Sequence, residues 1–127
     1  MTFRPEILAS ELEGDHFKKH FPLFCTSFGP ASDVIGSEYD LRSVWQKKTA
    51  AGEMMPDLTL VCGTKEFIRG RVEGDVSAMK ELGVPVNYIS AEGYDHDFRL
   101  WDLYLRKSLD ELLPLKRRAI YPDEKND

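Results

Sequence analysis

A chain of 127 residues suits one domain, and its 42% hydrophobic and 11% aromatic content is typical of a globular protein, not a disordered one. The net charge of −5, with one basic run at Lys116–Arg118, gives little support for binding of nucleic acid. No apolar signal-peptide core, no run of 18 apolar residues and only two cysteines occur, so we expect a cytoplasmic protein without a membrane span or a disulfide framework.

The first third of the chain predicts short helices followed by a loop. Apolar residues at helical spacing indicate one or two helices near 5–20. Those residues are Ile7, Leu8, Leu12 and Phe17. Residues 21–36 hold two prolines and two glycines, so we expect them to be mostly loop.

A further helix is predicted near 38–50. Ser37 can cap its N-terminus, with Asp40 at the third helical position as the acidic partner of the cap. The residues expected on its buried side are Leu41, Val44 and Trp45.

The second half of the chain alternates strands and helices. A short apolar run ending in glycine predicts a buried strand near 58–63, and an alternating pattern predicts a second strand near 84–90. Between them, apolar residues at helical spacing predict a helix near 67–82, which Gly83 ends. A last helix is predicted near 98–113, with an apolar stripe that should face the sheet or, in a partial domain, a partner chain. The stripe consists of Phe98, Trp101, Leu105, Leu109 and Leu112.

The order strand, helix, strand, helix predicts an α/β fold with a right-handed βαβ unit and a parallel pair of strands. Parallel sheets need several strands and cover on both faces, so two strands alone make a poor domain. We therefore expect residues 1–127 to form a single partial domain at the edge of a larger fold. Residues 119–127 are expected to be a frayed tail.

Polar segments follow both predicted strands. Cys62–Phe67 leaves the first strand and Gly93–Phe98 leaves the second. The carboxyl ends of adjacent parallel strands meet at one edge of a sheet, so Glu66 and His96 are predicted to share that edge. A carboxylate beside an imidazole holds one tautomer of the ring, as the acid of a catalytic triad does for its base. In α/β-hydrolases the acid precedes the histidine along the chain, as it does here.

These two segments resemble motifs of the esterase D-like branch of the α/β-hydrolases, which includes tributyrin esterases and S-formylglutathione hydrolases. CGTKEF, residues 62–67, is similar to the family's C-G-T-E-D-F, whose aspartate is the triad acid. GYDHDF, residues 93–98, followed by Trp101-Asp102, is similar to G-x-x-H-D-W/F and W-D, whose histidine is the base. Two further landmarks, F-G and G-S-E-N-D-L, resemble Phe28-Gly29 and GSEYDL at 36–41. The resemblance spans roughly residues 5–118 and implies a partial α/β-hydrolase fold.

The resemblance implies the C-terminal part of a serine carboxylesterase for short acyl esters or thioesters. Glu66 would be the triad acid, in a position where the family has aspartate, and His96 the base. The family's nucleophile elbow, G-x-S-x-G, does not occur in these 127 residues, so we expect the chain alone to be inactive. No cofactor and no metal are implied.

A non-catalytic alternative stays open, in which the chain is a truncated esterase remnant that acts as an oligomeric interaction module. An open sheet edge and unpaired apolar faces favour self-association. Expected partners are therefore the ester or thioester substrate of a complete enzyme, a second copy or an N-terminal esterase half, and neither nucleic acid nor membrane.

Other polar residues have competing interpretations. Ser27 in Cys25–Gly29 fits x-S-x-G, but the preceding residues make a dubious strand and Pro30 opens a loop, so it is a poor nucleophile elbow. His96 could simply lie at a helix start, with Asp95 and Asp97 as cap and first-turn charges. As metal ligands these three adjacent side chains would diverge. His16 and His20 have a chelating spacing, but two lysines between them oppose a cation.

Overall fold

A computed structural model describes residues 2–113. In chain order its elements are α1 (Pro5–Glu13), α2 (Asp15–His20), α3 (Pro22–Phe28), a short 3-10 helix (Ala31–Asp33), α4 (Leu41–Ala50), β1 (Leu58–Gly63), α5 (Arg69–Glu81), β2 (Val86–Ala91) and α6 (Phe98–Leu112). The predicted frayed tail at 119–127 and the basic run at Lys116–Arg118 lie outside the described residues.

The α/β fold class is confirmed, because β1 and β2 pair in a two-stranded parallel sheet with α5 between them in the chain. β1 has the predicted bounds. β2 begins two residues later than predicted, because the N–H of Val84 bonds to the carbonyl of Met79 at the end of α5, at 2.9 Å, and Pro85 has no N–H to give a strand.

Two compact units make up the chain. Among the described residues, one contains 2–58 and Arg71–Asn87, and the other contains Thr59–Gly70 and 88–113. That all 127 residues form a single partial domain stays a prediction. Within residues 2–113 no helix is long and apolar enough to cross a bilayer.

The N-terminal helices of the first unit enclose a small apolar core. Leu8 and Leu12 of α1 are buried with Val34, and Phe24 and Phe28 pack against them. The predicted stripe of α1 is therefore correct at its two leucines. Other side chains that pack on this core are Cys25 and Ala31.

The predicted loop at 21–36 is wrong over much of its length. Pro22 occupies the first turn of α3, where a missing N–H costs no hydrogen bond, and Gly29, with φ of 71°, follows its last residue. Proline and glycine here delimit a helix because Phe24 and Phe28, on one face of that helix, have an apolar core to pack against.

The cap of α4 also differs from the prediction. Asp40, not Ser37, is the N-cap, since the Asp40 carboxylate accepts the backbone N–H of Ser43 at 3.0 Å and that of Gly36 at 2.8 Å. Ser37 instead stabilises the preceding turn by donating its hydroxyl to the carbonyl of Val34 at 2.6 Å. The helix consequently begins at Leu41. No α4 side chain is fully buried, although Leu41, Val44 and Trp45 do line an apolar cavity of about 380 Å³.

In the second unit, the predicted stripe of α6 does not face the sheet, and that it faces a partner chain stays a prediction. Leu100 is buried, whereas four of the five stripe residues are exposed to solvent. Their exposed fractions are 80% for Phe98, 43% for Trp101, 62% for Leu105 and 64% for Leu112. Because an α-helix turns about 100° per residue, Leu100 lies on the opposite side of α6 from this stripe.

Candidate active site

Two loops of the second unit, one after each strand, are tied together by hydrogen bonds. The backbone N–H of Thr64 donates to the carbonyl of Ala91 at 2.9 Å, and that of Lys65 donates to the carbonyl of Tyr94 at 3.0 Å. In return, the N–H of Gly93 donates to the Thr64 hydroxyl at 2.9 Å. The loops are thus held in register, which positions the side chains that follow them.

Gly63, the last residue of β1, allows the two loops to approach this closely. A Cβ atom at this position would lie 2.2 Å from the carbonyl oxygen of Tyr94 and 2.6 Å from its carbonyl carbon, far inside van der Waals contact. Both atoms belong to backbone, so they cannot move without shifting the loop that carries His96.

Glu66 and His96 are brought together at this edge. The Glu66 side chain is buried, and its Oε1 accepts the backbone N–H of Gly63 at 2.9 Å. Its other oxygen, Oε2, lies 2.7 Å from Nδ1 of His96. The carboxylate is therefore fixed at one oxygen by its own loop and directs the other at the imidazole.

The His96 ring lies between two aromatic side chains. Phe67 and Trp101 approach it edge to face, with ring centroids at 5.4 Å and 5.0 Å. The His96 side chain is nevertheless 38% exposed, and within residues 2–113 its Nε2 has no hydrogen-bond partner. When Nδ1–H donates to Glu66, Nε2 of the neutral ring carries the lone pair, so it can accept a proton from an approaching hydroxyl.

The aspartates beside His96 act as local caps. The N–H of His96 donates to Asp95 at 2.7 Å, and Asp97, the N-cap of α6, accepts the N–H of Arg99 at 2.9 Å. Hydrogen bonding from the Arg99 side chain is the main reason that the pKa of Asp97 lies below its ordinary value. Both carboxylates are thus engaged with backbone groups, in agreement with the capping interpretation.

The other sequence candidates do not form a comparable site. Ser27 lies inside α3, where its hydroxyl donates to the carbonyl of Leu23 at 2.7 Å, and residues 2–26 contain no strand such as a nucleophile elbow requires before its serine. The rings of His16 and His20 are neighbours, with centroids 4.7 Å apart. Among residues 2–113, however, no group of three or more histidine, cysteine, aspartate or glutamate side chains could hold a metal ion.

Sequence reasoning missed three residues that shape the site. Phe67 and Trp101 both contact the His96 ring, whereas the sequence pattern predicts Trp101 in a stripe that faces the sheet and gives Phe67 no place beside the histidine. Gly63 was recognised only as the end of a strand. Phe67 directly follows Glu66 and Trp101 lies five residues after His96, and this proximity in sequence was the available signal. Whether either ring turns toward the imidazole depends on how the loop after β1 and helix α6 are oriented.

Comparison with known proteins agrees with this architecture. No family model matches the chain. An acetyl esterase from Caldicellulosiruptor saccharolyticus is 25% identical over 83 residues, which are 65% of this chain and 31% of the esterase. A crystal structure of S-formylglutathione hydrolase (FrmB) from Staphylococcus aureus matches 84% of this chain and 39% of that one, with a TM-score of 0.57 and 20% identity.

A second Staphylococcus aureus structure, the fluorophosphonate-binding serine hydrolase FphF with substrate bound, matches 85% of this chain and 40% of its own, with a TM-score of 0.59 and 22% identity. The chain therefore spans about a third to two-fifths of the length of these relatives. The resemblance inferred from the sequence motifs is confirmed by these matches. The fold of this chain is a part of the α/β-hydrolase fold.

Proposed function

We propose that this chain supplies the acid and the histidine of a serine carboxylesterase that hydrolyses short acyl esters or thioesters. The observation that carries the proposal is the 2.7 Å contact between Glu66 Oε2 and His96 Nδ1, made by two loops that follow neighbouring strands. An acetyl esterase and two serine hydrolase folds among the relatives support this class of reaction.

The proposed chemistry needs one proton to move twice. As a serine Oγ attacks the acyl carbonyl, its proton passes to Nε2 of His96, and the resulting imidazolium then protonates the departing alcohol or thiol. Water repeats the sequence on the acyl-serine and regenerates the serine. Glu66 stays ionised throughout, holds the ring in one orientation and stabilises its positive charge.

The serine and the oxyanion hole are proposed to come from residues outside these 127, because no nucleophile elbow occurs within them. No cofactor or metal takes part in the proposed reaction. We also propose that the protein is cytoplasmic and that its substrate is an ester or thioester of a small acyl group.

A chimera tests it. The part of the Staphylococcus aureus S-formylglutathione hydrolase that has no counterpart here is joined to this chain, and fluorophosphonate labelling and hydrolysis of p-nitrophenyl acetate are measured. We expect both activities, with a loss of about 10³-fold or more on His96→Ala. His20→Ala removes an exposed histidine from α2 and should leave both unchanged.

A folded chimera whose activity is equal in the two variants would contradict the proposal. If the chimera does not fold, the protonation of the His96 ring nitrogens in the unmodified chain decides whether Glu66 and His96 form the pair, as described in the Discussion.

The second candidate function is the non-catalytic one, an oligomeric module derived from an esterase. The exposed apolar stripe of α6 favours it, since monomeric soluble proteins rarely leave a contiguous patch of that kind uncovered. The chimera separates the two candidates, because a remnant would give a folded chimera that neither reacts with the fluorophosphonate nor cleaves the acetate ester.

A further inference from the structure

The apolar stripe of α6 is a helix face that is largely exposed to solvent in the described part of the chain. Phe98, Leu105 and Leu112 are each more than 60% exposed, and Trp101 is 43% exposed. None of these residues carries a charge. Exposed apolar residues scattered singly need no explanation, but several in line along one helix mark an interaction surface.

Packing of α6 onto its own unit uses mainly the opposite face. Leu100 is 2% exposed, and Leu103 and Tyr104, on the same side of the helix, are half-buried. The helix is thus already anchored through its other face. The stripe can therefore be covered by another chain without any change in how α6 is attached.

The stripe has a symmetry of its own about Leu105. Phe98 and Leu112 lie seven residues before and after it, and Trp101 and Leu109 lie four residues before and after it. If two copies of α6 pack antiparallel across a twofold axis at Leu105, each aromatic ring meets a leucine of the other copy. Large side chains then oppose smaller ones, as tight packing requires, and a self-complementary patch is what a twofold interface needs.

We propose that this chain forms a twofold dimer in which the α6 stripes of two copies pack against each other, with Leu105 at the axis. The size of the patch is compatible with this. At these exposed fractions the four side chains present on the order of 100–150 Å² each, so the stripe with its half-buried rim reaches roughly 600 Å² per copy. Specific interfaces begin at about that area per partner.

Dimerisation would also enclose one side of the candidate active site. Trp101 belongs to the stripe and contacts the His96 ring, with centroids 5.0 Å apart. A second copy on the stripe would therefore bury Trp101 further and restrict solvent on that side of the imidazole. This consequence does not depend on whether the chain takes part in ester hydrolysis.

Sedimentation equilibrium of the unmodified chain, over two orders of magnitude in concentration, tests the proposal. We expect a monomer–dimer equilibrium that Leu105→Glu weakens by about 100-fold or more, because two carboxylates would meet in an apolar contact. Gln46→Glu adds the same charge at an exposed position of α4 and should leave the equilibrium unchanged. Circular dichroism establishes that both variants fold.

A second measurement locates the axis. A cysteine at the twofold axis meets its own copy, so Leu105→Cys should form a disulfide-linked dimer under mild oxidation, whereas Gln46→Cys should not. A chain that stays monomeric at the highest concentration overturns the proposal. A dimer that Leu105→Glu does not weaken, and that Leu105→Cys does not cross-link, also overturns it, since the contact would then lie elsewhere. All of these readouts report mass and not activity, so they leave the proposed hydrolase function to its own test.

Discussion

The Oε2 atom of Glu66 lies 2.7 Å from Nδ1 of His96, although 30 positions separate the two residues in the sequence. The same carboxylate accepts the backbone N–H of Gly63 with its other oxygen. This second bond fixes the orientation of the carboxylate independently of the imidazole. This bond turns the Glu66 side chain back along its own loop.

The first prediction concerns the protonation of the two ring nitrogens of His96. In the neutral ring, the proton should lie on Nδ1 and Nε2 should be unprotonated, because Nδ1–H donates to the buried carboxylate. Nitrogen-15 NMR of the unmodified chain measures this. Glu66→Ala should abolish the preference, and Glu92→Gln, at an exposed position, should preserve it. A ring protonated on Nε2 in the unmodified chain would contradict the pairing.

The second prediction concerns the close approach of the two loops. Gly63→Ala should destabilise the protein by about 2–4 kcal/mol, because the new methyl group would overlap the backbone of Tyr94. Urea unfolding monitored by circular dichroism measures the change. Gly70→Ala is the matched control, since its Cβ meets nothing within 4 Å and it lies in α5.

In that control, alanine should be neutral or stabilise by about 0.5–1 kcal/mol. Equal midpoints for Gly63→Ala and the unmodified chain would mean that the loops are not held at this distance in solution.

The third prediction concerns the N-cap of α4 and its dependence on pH. Burial acts to raise the pKa of Asp40, but hydrogen bonds from the Ser43 hydroxyl and from backbone N–H groups, including that of Gly36, hold it below its ordinary value of 3.8. A group whose pKa is lowered on folding contributes stability above its unfolded pKa and loses it as the pH falls through the folded value.

Asp40→Ala should therefore cost about 1–2 kcal/mol at neutral pH, and the difference from the unmodified chain should shrink below about pH 4. Asp33→Ala, at an exposed position in the preceding turn, is the control. Thermal unfolding at a series of pH values measures both. A difference for Asp40→Ala that stays constant down to pH 2 would indicate that its carboxylate does not form these bonds.

The fourth prediction concerns serine reactivity. The 127-residue chain by itself should form no adduct with a fluorophosphonate, because Ser27 lies within α3 and its hydroxyl is bonded to the carbonyl of Leu23. Intact mass spectrometry measures the adduct, and Ser27→Ala is the matched variant. An adduct that disappears in Ser27→Ala would place the nucleophile within this chain and contradict the interpretation of α3.

Local patterns predicted much of the second half of the chain. The bounds of β1 were correct, and those of α6 were correct to within one residue, because a run of apolar residues and the hydrogen-bonding pattern of a helix depend on neighbours in sequence. Chain order also predicted that Glu66 and His96 share one edge, since the ends of paired parallel strands must meet there. In the first half, the loop predicted at 21–36 was wrong because glycine and proline delimit helices as well as turns.

What the sequence by itself determined is therefore the type of most elements and the identity of the residues at the edge of the sheet. Only the tertiary structure decided which face of α6 is buried, because the helix has apolar residues on two sides and the pattern alone cannot choose between Leu100 and the stripe around Leu105. It also decided the orientation of Glu66 and His96, which follows from the contact between Gly63 and Tyr94. Such contacts join residues far apart in the chain, and their geometry depends on packing that no local pattern encodes.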